Sequence, residues 1–278
     1  MSEHLSKAQV KWVRSLQQKK NRDAEGVFVA EGEKCVNDLR GAFQLVLLAT
    51  PENASPVEIE QMSSLRTPQG TIAVFRKPAS LNSHLSSLNS HLSSLNSQHS
   101  SLNSHLSSLN SQLSSLNSQL SSLNSQLILA LDGVQDPGNL GTIIRTCDWF
   151  GIHDILCSRD TADCFNPKVV QATMGALARV RLHYVDLPQT LAQLHQQGMP
   201  LYGTLLEGRN MYDANAIADR HKGVIIMGNE GNGISPQVRQ LITHPLFIPS
   251  YPADMPTSES LNVGIATAIV LSEFRRTQ

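Results

Sequence analysis

The sequence predicts an α/β fold in two parts, the second built on a mostly parallel sheet. Three observations carry this. Short apolar runs alternate with amphipathic stretches along both parts of the chain. The runs Leu127-Ile-Leu-Ala-Leu131 and Val224-Ile-Ile-Met227 are apolar throughout, as strands covered on both faces require. Between the two parts, residues 80–126 change composition abruptly.

The first part opens on a basic stretch. Lys7, Lys11, Arg14, Lys19, Lys20 and Arg22 stand in residues 7–22 with no acid among them. Val10, Val13 and Leu16 fall at helical spacing beside Trp12. One basic amphipathic helix follows, with a face suited to RNA or DNA phosphates. Strands are expected at 27–30, 44–49 and 71–75, with helices at 31–42 and 56–65 between them. That is a β-α-β-α-β unit of about seventy residues, the size of a small domain.

Residues 80–126 repeat a seven-residue unit close to S-L-N-S-H/Q-L-S. The leucine spacing alternates four and three, the pattern of a coiled-coil seam. Ser and Asn are indifferent-to-poor helix formers, and no flanking charges fix a partner or a register. The tract reads as an expanded repeat inserted in an interdomain linker.

The second part begins with a strand at 127–131 and the turn Asp132-Gly-Val-Gln-Asp-Pro-Gly-Asn139. A helix at 140–150 carries Arg145. Strands at 153–157, 180–184 and 201–204 alternate with helices from Asn166-Pro167 to 174 and at 187–196. The strand at 224–227 ends in Gly228-Asn-Glu-Gly-Asn-Gly233, and Ser235-Pro236 then opens a helix with Ser as N-cap. A strand at 246–249 and a final helix at 261–274, capped by Ser260 or Ser258, complete the chain.

Two strand ends, two loops and two helix N-termini thus lie close together. Glycines admit a ligand near the backbone, and helix starts offer free N–H donors. The expectation is a small-molecule site made mostly of backbone, with Glu230, Ser260 and Asn262 at its tips. Its late position excludes a Rossmann dinucleotide site, whose glycines follow the first strand. No G-x-x-x-x-G-K-[ST] occurs either. A formal net charge of −1 argues against a protein that coats nucleic acid, but not against a local basic patch. Cys35, Cys147, Cys157 and Cys164 form no C-x-x-C pair, which fits a reduced, cytoplasmic chain. His153 and Cys157 fall on one expected strand and carry no metal assignment. No apolar run is long enough to span a membrane, and the start lacks a signal-peptide core.

Three segments, in order, resemble the motifs of the SpoU (TrmH) family of RNA ribose methyltransferases, in the SPOUT superfamily. They are Asn139-Leu-Gly-Thr-Ile-Ile-Arg145, Met227-Gly-Asn-Glu-Gly-Asn-Gly-Ile-Ser235, and Ile248-Pro249 followed by Ser260-Leu-Asn-Val263. The resemblance implies a C-terminal α/β-knot domain (127–278) with a deep trefoil knot. It also implies a small L30e-like RNA substrate-binding domain (1–79) ahead of the linker (80–126). The cofactor would be S-adenosylmethionine, contacted by Leu205, Gly228, Ile248 and Leu261. Arg145 would be the principal catalytic residue, binding a phosphate and stabilising the developing alkoxide. Asn139 would orient Arg145 or the ribose, and Glu230, Ser260 and Asn262 would complete the polar wall. An ordinary helix arginine at 145 would instead pair with Asp148. The implied partners are rRNA or tRNA and a second copy of the chain, with neither membrane nor metal. Family members often carry Ser two residues beyond the third-motif Asn; Gly264 stands there and would loosen the helix's first turn. The rival readings are a non-catalytic RNA-binding protein with the same fold, and an assembly protein acting through the heptad tract.

Overall fold

The computed structural model describes residues 4–78, 126–252, 258 and 260–276. The heptad tract lies outside the described residues. The N-terminal unit is a three-stranded antiparallel sheet in the order β1-β3-β2, formed by Val27–Glu31, Leu45–Ala49 and Ile72–Arg76 as β1, β2 and β3. Helices α3 (Glu33–Arg40) and α4 (Pro56–Met62) connect the strands. Glu31 ends β1 rather than opening the helix. Its buried carboxylate accepts from the Ser63 hydroxyl at 2.7 Å and the Gln69 amide at 3.2 Å, and Gly32 turns the chain at φ +94.

The basic stretch is two helices, not one. α1 (Lys7–Ser15) starts with a reciprocal Ser6–Gln9 capping box and packs Val10 and Val13 inward. Leu16 ends it, fully buried, and α2 (Lys19–Glu25) follows as a separate helix. Lys7, Lys11, Arg14, Lys19 and Lys20 stay exposed. Arg22 does not: it is 1% exposed, donates to the Leu16 and Gln17 carbonyls, and pairs with Asp163 of the second unit at 2.7 Å. A buried guanidinium cannot serve an RNA phosphate, so Arg22 leaves the expected basic face and joins an internal contact. Phe28 stacks on Phe165 beside it, with ring centroids 4.8 Å apart. One core cluster runs across both units.

The second unit is a six-stranded sheet in the order β6-β5-β4-β8-β7-β9, with every pair parallel. Its strands are β4 (Leu127–Asp132), β5 (Asp154–Cys157), β6 (Arg181–Tyr184), β7 (Leu201–Asn210), β8 (Gly223–Gly228) and β9 (His244–Phe247). β4 and β5 are buried along their whole length, and β8 along all but its last residue. The helices are α5 (Pro137–Trp149), α6 (Pro167–Ala172), α7 (Leu187–Gln196), α8 (Pro236–Arg239) and α9 (Val263–Phe274). Helix α5 begins three residues earlier than the pattern suggests, because Asp136 caps it and Pro137 takes the first turn. α9 is capped by Asn262, whose Oδ1 accepts from the Gly264 and Ile265 amides at 2.9 and 3.2 Å; neither expected serine caps it. Among the described residues no helix is long and apolar enough to cross a membrane.

β7 is six residues longer than expected, and β9 starts two residues earlier. The extension of β7 is interrupted: Thr204 and Arg209 both pair opposite Leu246, so residues 205–208 bulge out of the ladder. Gly208 brings the chain back, where a Cβ would lie 2.5 Å from the Leu246 carbonyl carbon.

Candidate active site

The strands' carboxyl ends face a cavity of about 1090 Å³. Its walls come mainly from three parts of the chain: the β7 bulge (Leu205, Leu206, Glu207), the loop after β8 (Gly228 to Ile234), and residues 247–250, 258 and 260–261 with the start of α9. All four residues assigned to a cofactor, Leu205, Gly228, Ile248 and Leu261, line it, as do Glu230 and Ser260. Arg145, Asn139 and Asn262 do not. This is the usual ligand position on a parallel sheet.

Tight backbone geometry holds the glycine loop. Asn229 and Gly233 exchange two backbone hydrogen bonds at 2.9 and 3.0 Å. The Asn229 side chain accepts from the Gly231 and Asn232 amides and donates to the Gly133 carbonyl at 2.6 Å. A Cβ on Gly228 would lie 2.3 Å from the Gly233 carbonyl carbon, so no side chain fits there. Buried Asp132, at the end of β4, accepts the Ser235 amide at 2.7 Å and fixes the exit of the loop. The Ser235 carbonyl accepts from the Arg239 amide at 2.8 Å at the start of α8, and the Ser235 hydroxyl makes no capping bond.

Beside the cavity the three motifs meet in one chain of amides. Asn262 Nδ2 donates to Asn139 Oδ1 at 2.9 Å, and Asn139 Nδ2 donates to Glu230 Oε1 at 2.8 Å. Asn139 is therefore committed to Glu230 and Asn262, and does not orient Arg145. Arg145 is exposed and has no hydrogen bond or ion pair among the described residues. The pairing with Asp148 does not form: Asp148 takes a bidentate contact from Arg179 at 2.8 and 2.7 Å. Gly264 lies in the first turn of α9, against the cap. A Cβ there would sit 3.2 Å from the capping Asn262 Oδ1, so a larger residue would crowd the cap.

Sequence reasoning missed Asp132, Asn229, Glu207 and Arg239. The first two act through bonds to backbone far away in the sequence. The last two face each other across the cavity rim, with Arg239 Nη2 2.8 Å from Glu207 Oε2. All four cysteines are free and buried; burial pushes the Cys35 thiol up to about 11 and the Cys164 thiol up to about 12.

An all-parallel α/β domain with a glycine-loop cavity and an adjoining amide relay defines the class. The model of the SpoU rRNA Methylase family matches residues 126–272, and that of the MRM3-like substrate binding domain matches residues 7–58. The chain belongs to the SpoU rRNA methylase family, in the SPOUT superfamily. A solved structure from Porphyromonas gingivalis, described as being of the TrmH family of RNA methyltransferases, is 35% identical with a TM-score of 0.75, covering 98% of each chain. The 23S rRNA (guanosine(2553)-2′-O)-methyltransferase RlmP of Bacillus subtilis is 34% identical over 148 residues, 53% of this chain and 57% of that protein. The 23S rRNA (guanosine-2′-O-)-methyltransferase RlmB of Neisseria meningitidis is 34% identical over 152 residues, 54% of this chain and 58% of that protein. The chain spans little more than half the length of these curated relatives.

Proposed function

We propose that this chain is an S-adenosylmethionine-dependent methyltransferase that modifies a ribose 2′-OH of rRNA or tRNA. The observation that carries this reading is the Asn262–Asn139–Glu230 chain, which draws residues of three separate segments to the edge of one cavity. The family membership and the names of the relatives point the same way.

The cavity suits the cofactor. It is large enough for a nucleoside and mixes apolar walls (Leu205, Ile248, Leu261) with loop backbone that Gly228 leaves uncovered. Those four residues would hold the cofactor, which supplies an electrophilic methyl group. A guanidinium donates hydrogen bonds and accepts none, so Arg145 is given no role as a base. Exposed and unpaired among the described residues, it binds an RNA phosphate and stabilises the negative charge growing on the ribose oxygen. Asn139, held at both ends of its amide, fixes Glu230 and leaves one N–H for the ribose. Ser260 and Asn262 close the polar wall.

The N-terminal unit, with its five exposed basic side chains on α1 and α2, would carry the RNA. A second copy of the chain would cover the α5–α9 pair: α9 is apolar on all sides, Ile265 is 54% exposed and Trp149 is 85% exposed. A deep trefoil knot in this part of the chain belongs to the same family reading. The domain division at 1–79, 80–126 and 127–278, and a cytoplasmic setting, belong to the same reading.

The test is transfer of tritiated methyl from S-adenosylmethionine to total RNA lacking this modification, with Arg145→Ala beside the wild type. Label that resists alkaline cleavage as a 2′-O-methyl nucleotide, and that disappears with Arg145→Ala, is the expected result. Binding of cofactor and RNA without transfer to any rRNA or tRNA would favour a non-catalytic RNA-binding protein instead.

A further inference from the structure

The cavity wall holds a carboxylate that this account leaves without a task. Residues 205–208 bulge from β7 because Thr204 and Arg209 both pair opposite Leu246, and the bulge carries Glu207 to the rim. Glu207 is 81% exposed, yet its carboxylate is held, because Arg239 Nη2 on α8 lies 2.8 Å from Oε2. An exposed ion pair of this kind stabilises a fold by little. Its position, joining the β7 bulge to α8 at the rim of the cavity, points elsewhere.

Two carboxylates line the cavity, Glu207 and Glu230, and several polar groups around them are already engaged. Asn229 bonds the loop backbone and Gly133, the Thr204 hydroxyl donates to the Ile226 carbonyl at 3.2 Å, and Glu230 belongs to the amide relay with Asn139. A carboxylate offers about four lone-pair directions. Among the described residues, Arg239 occupies one of those on Glu207 and nothing else is bound to it. Oε1 is therefore an unbonded acceptor on a carboxylate held at the rim of a cavity large enough for a nucleoside. The neutral ligand group that matches such an acceptor is a pair of adjacent hydroxyls, each donating one hydrogen bond.

We infer that Glu207 accepts the ribose hydroxyls of the nucleoside part of the cofactor, and that Arg239 is the positioning residue that holds its carboxylate for them. This rests on the cofactor reading above and adds to it a discrimination between ribose and deoxyribose. No bond is made or broken. Arg239 keeps its contact, so the ligand completes a pre-oriented acceptor rather than displacing an ion pair.

The experiment is calorimetric titration of the full chain with S-adenosylhomocysteine, 5′-methylthioadenosine and 2′-deoxy-5′-methylthioadenosine. The proteins are wild type, Glu207→Ala and Arg239→Met. Both substitutions are at exposed positions, and thermal melting confirms that each variant is folded. For Glu207→Ala, the dissociation constants for the two ribose ligands should rise together, by roughly ten- to a hundredfold, the scale of a hydrogen bond to a charged group. Its preference for ribose over 2′-deoxyribose should vanish. Arg239→Met should show a smaller loss of the same pattern. If Glu207→Ala weakens S-adenosylhomocysteine alone, the pair serves the amino-acid tail and the ribose assignment is overturned. Unchanged affinities overturn it as well. Failure of the wild type to bind S-adenosylhomocysteine at all would instead overturn the cofactor reading itself.

Discussion

At the amino end of the parallel sheet, Asp154 sits 1% exposed with its carboxylate fully engaged. Arg181 grips it with two bonds of 2.8 and 2.6 Å, Gln126 donates at 2.8 Å, and a His183 ring nitrogen lies 2.8 Å away. At the carboxyl end, the Asn139, Glu230 and Asn262 cluster is partly open to solvent and joined by single bonds, with Arg145 exposed nearby in sequence and free of partners among the described residues. The first cluster has no capacity left over; the second has donors and acceptors to spare. The contrast teaches that two polar groups on one sheet do different work according to whether the fold has already satisfied them. A satisfied charge holds strands together, and an unsatisfied one is available to a ligand.

The contrast is broken most sharply by Arg145→Ala. Removing one stabilising group for a developing oxyanion should lower methyl transfer by roughly a hundredfold or more. The melting temperature should hardly move, because the side chain is exposed and unpaired. Asp154→Asn should do the reverse. It strips a buried cluster of its charge and should lower unfolding free energy by about 2 kcal/mol in urea titration, with turnover per folded molecule unchanged. A loss of turnover there without loss of stability would erase the distinction between the two ends.

Acid sharpens the same point. Burial pushes the Asp154 carboxyl up, but the bonds and charges of His183 and Arg181 outweigh that and hold it well below the usual carboxylate range. A carboxyl depressed in the folded state stabilises the fold fully above its unfolded value, near pH 3.9, and the contribution is lost as pH falls toward the folded value. Wild-type stability should therefore drop below about pH 4, and Asp154→Asn should show a flatter profile there. The smallest effect is at Asn262, which belongs to both categories. Asn262→Ala removes the cap of α9, worth about 1 kcal/mol, and frees one end of Asn139. Both melting temperature and transfer should fall modestly; a fall in only one would assign the residue to one role.

Much of this was legible in the sequence, for local reasons. β4 and β8 are unbroken apolar runs, and the glycine loop announces a turn that backbone must fill. What escaped depends on distant partners. Residues 205–210 show no strand alternation, and only the late pairing with β9 makes them part of β7. Arg22 looked like one more surface cation, yet its carboxylate partner lies 141 residues away. Ser258 and Ser260 were the expected caps of α9, and Asn262, tied to Asn139 far back in the sequence, takes that place instead. The site residues came from three motifs taken together, whereas Glu207 and Arg239, 32 residues apart, belong to none of them.

The docking of the two units has a bearing on the heptad tract between them. Arg22 against Asp163 and Phe28 against Phe165 join the units directly. Lys77 is tied to Asp23 at 2.6 Å, and Gln126 to Asp154 at 2.8 Å. The residues flanking the tract are thus anchored by their own neighbours, and the orientation of one unit on the other is set by the faces in contact. A chain with fewer or more copies of the repeat would keep these same contacts, so the docking of the two units and the geometry around Arg145 should not change with the tract's length.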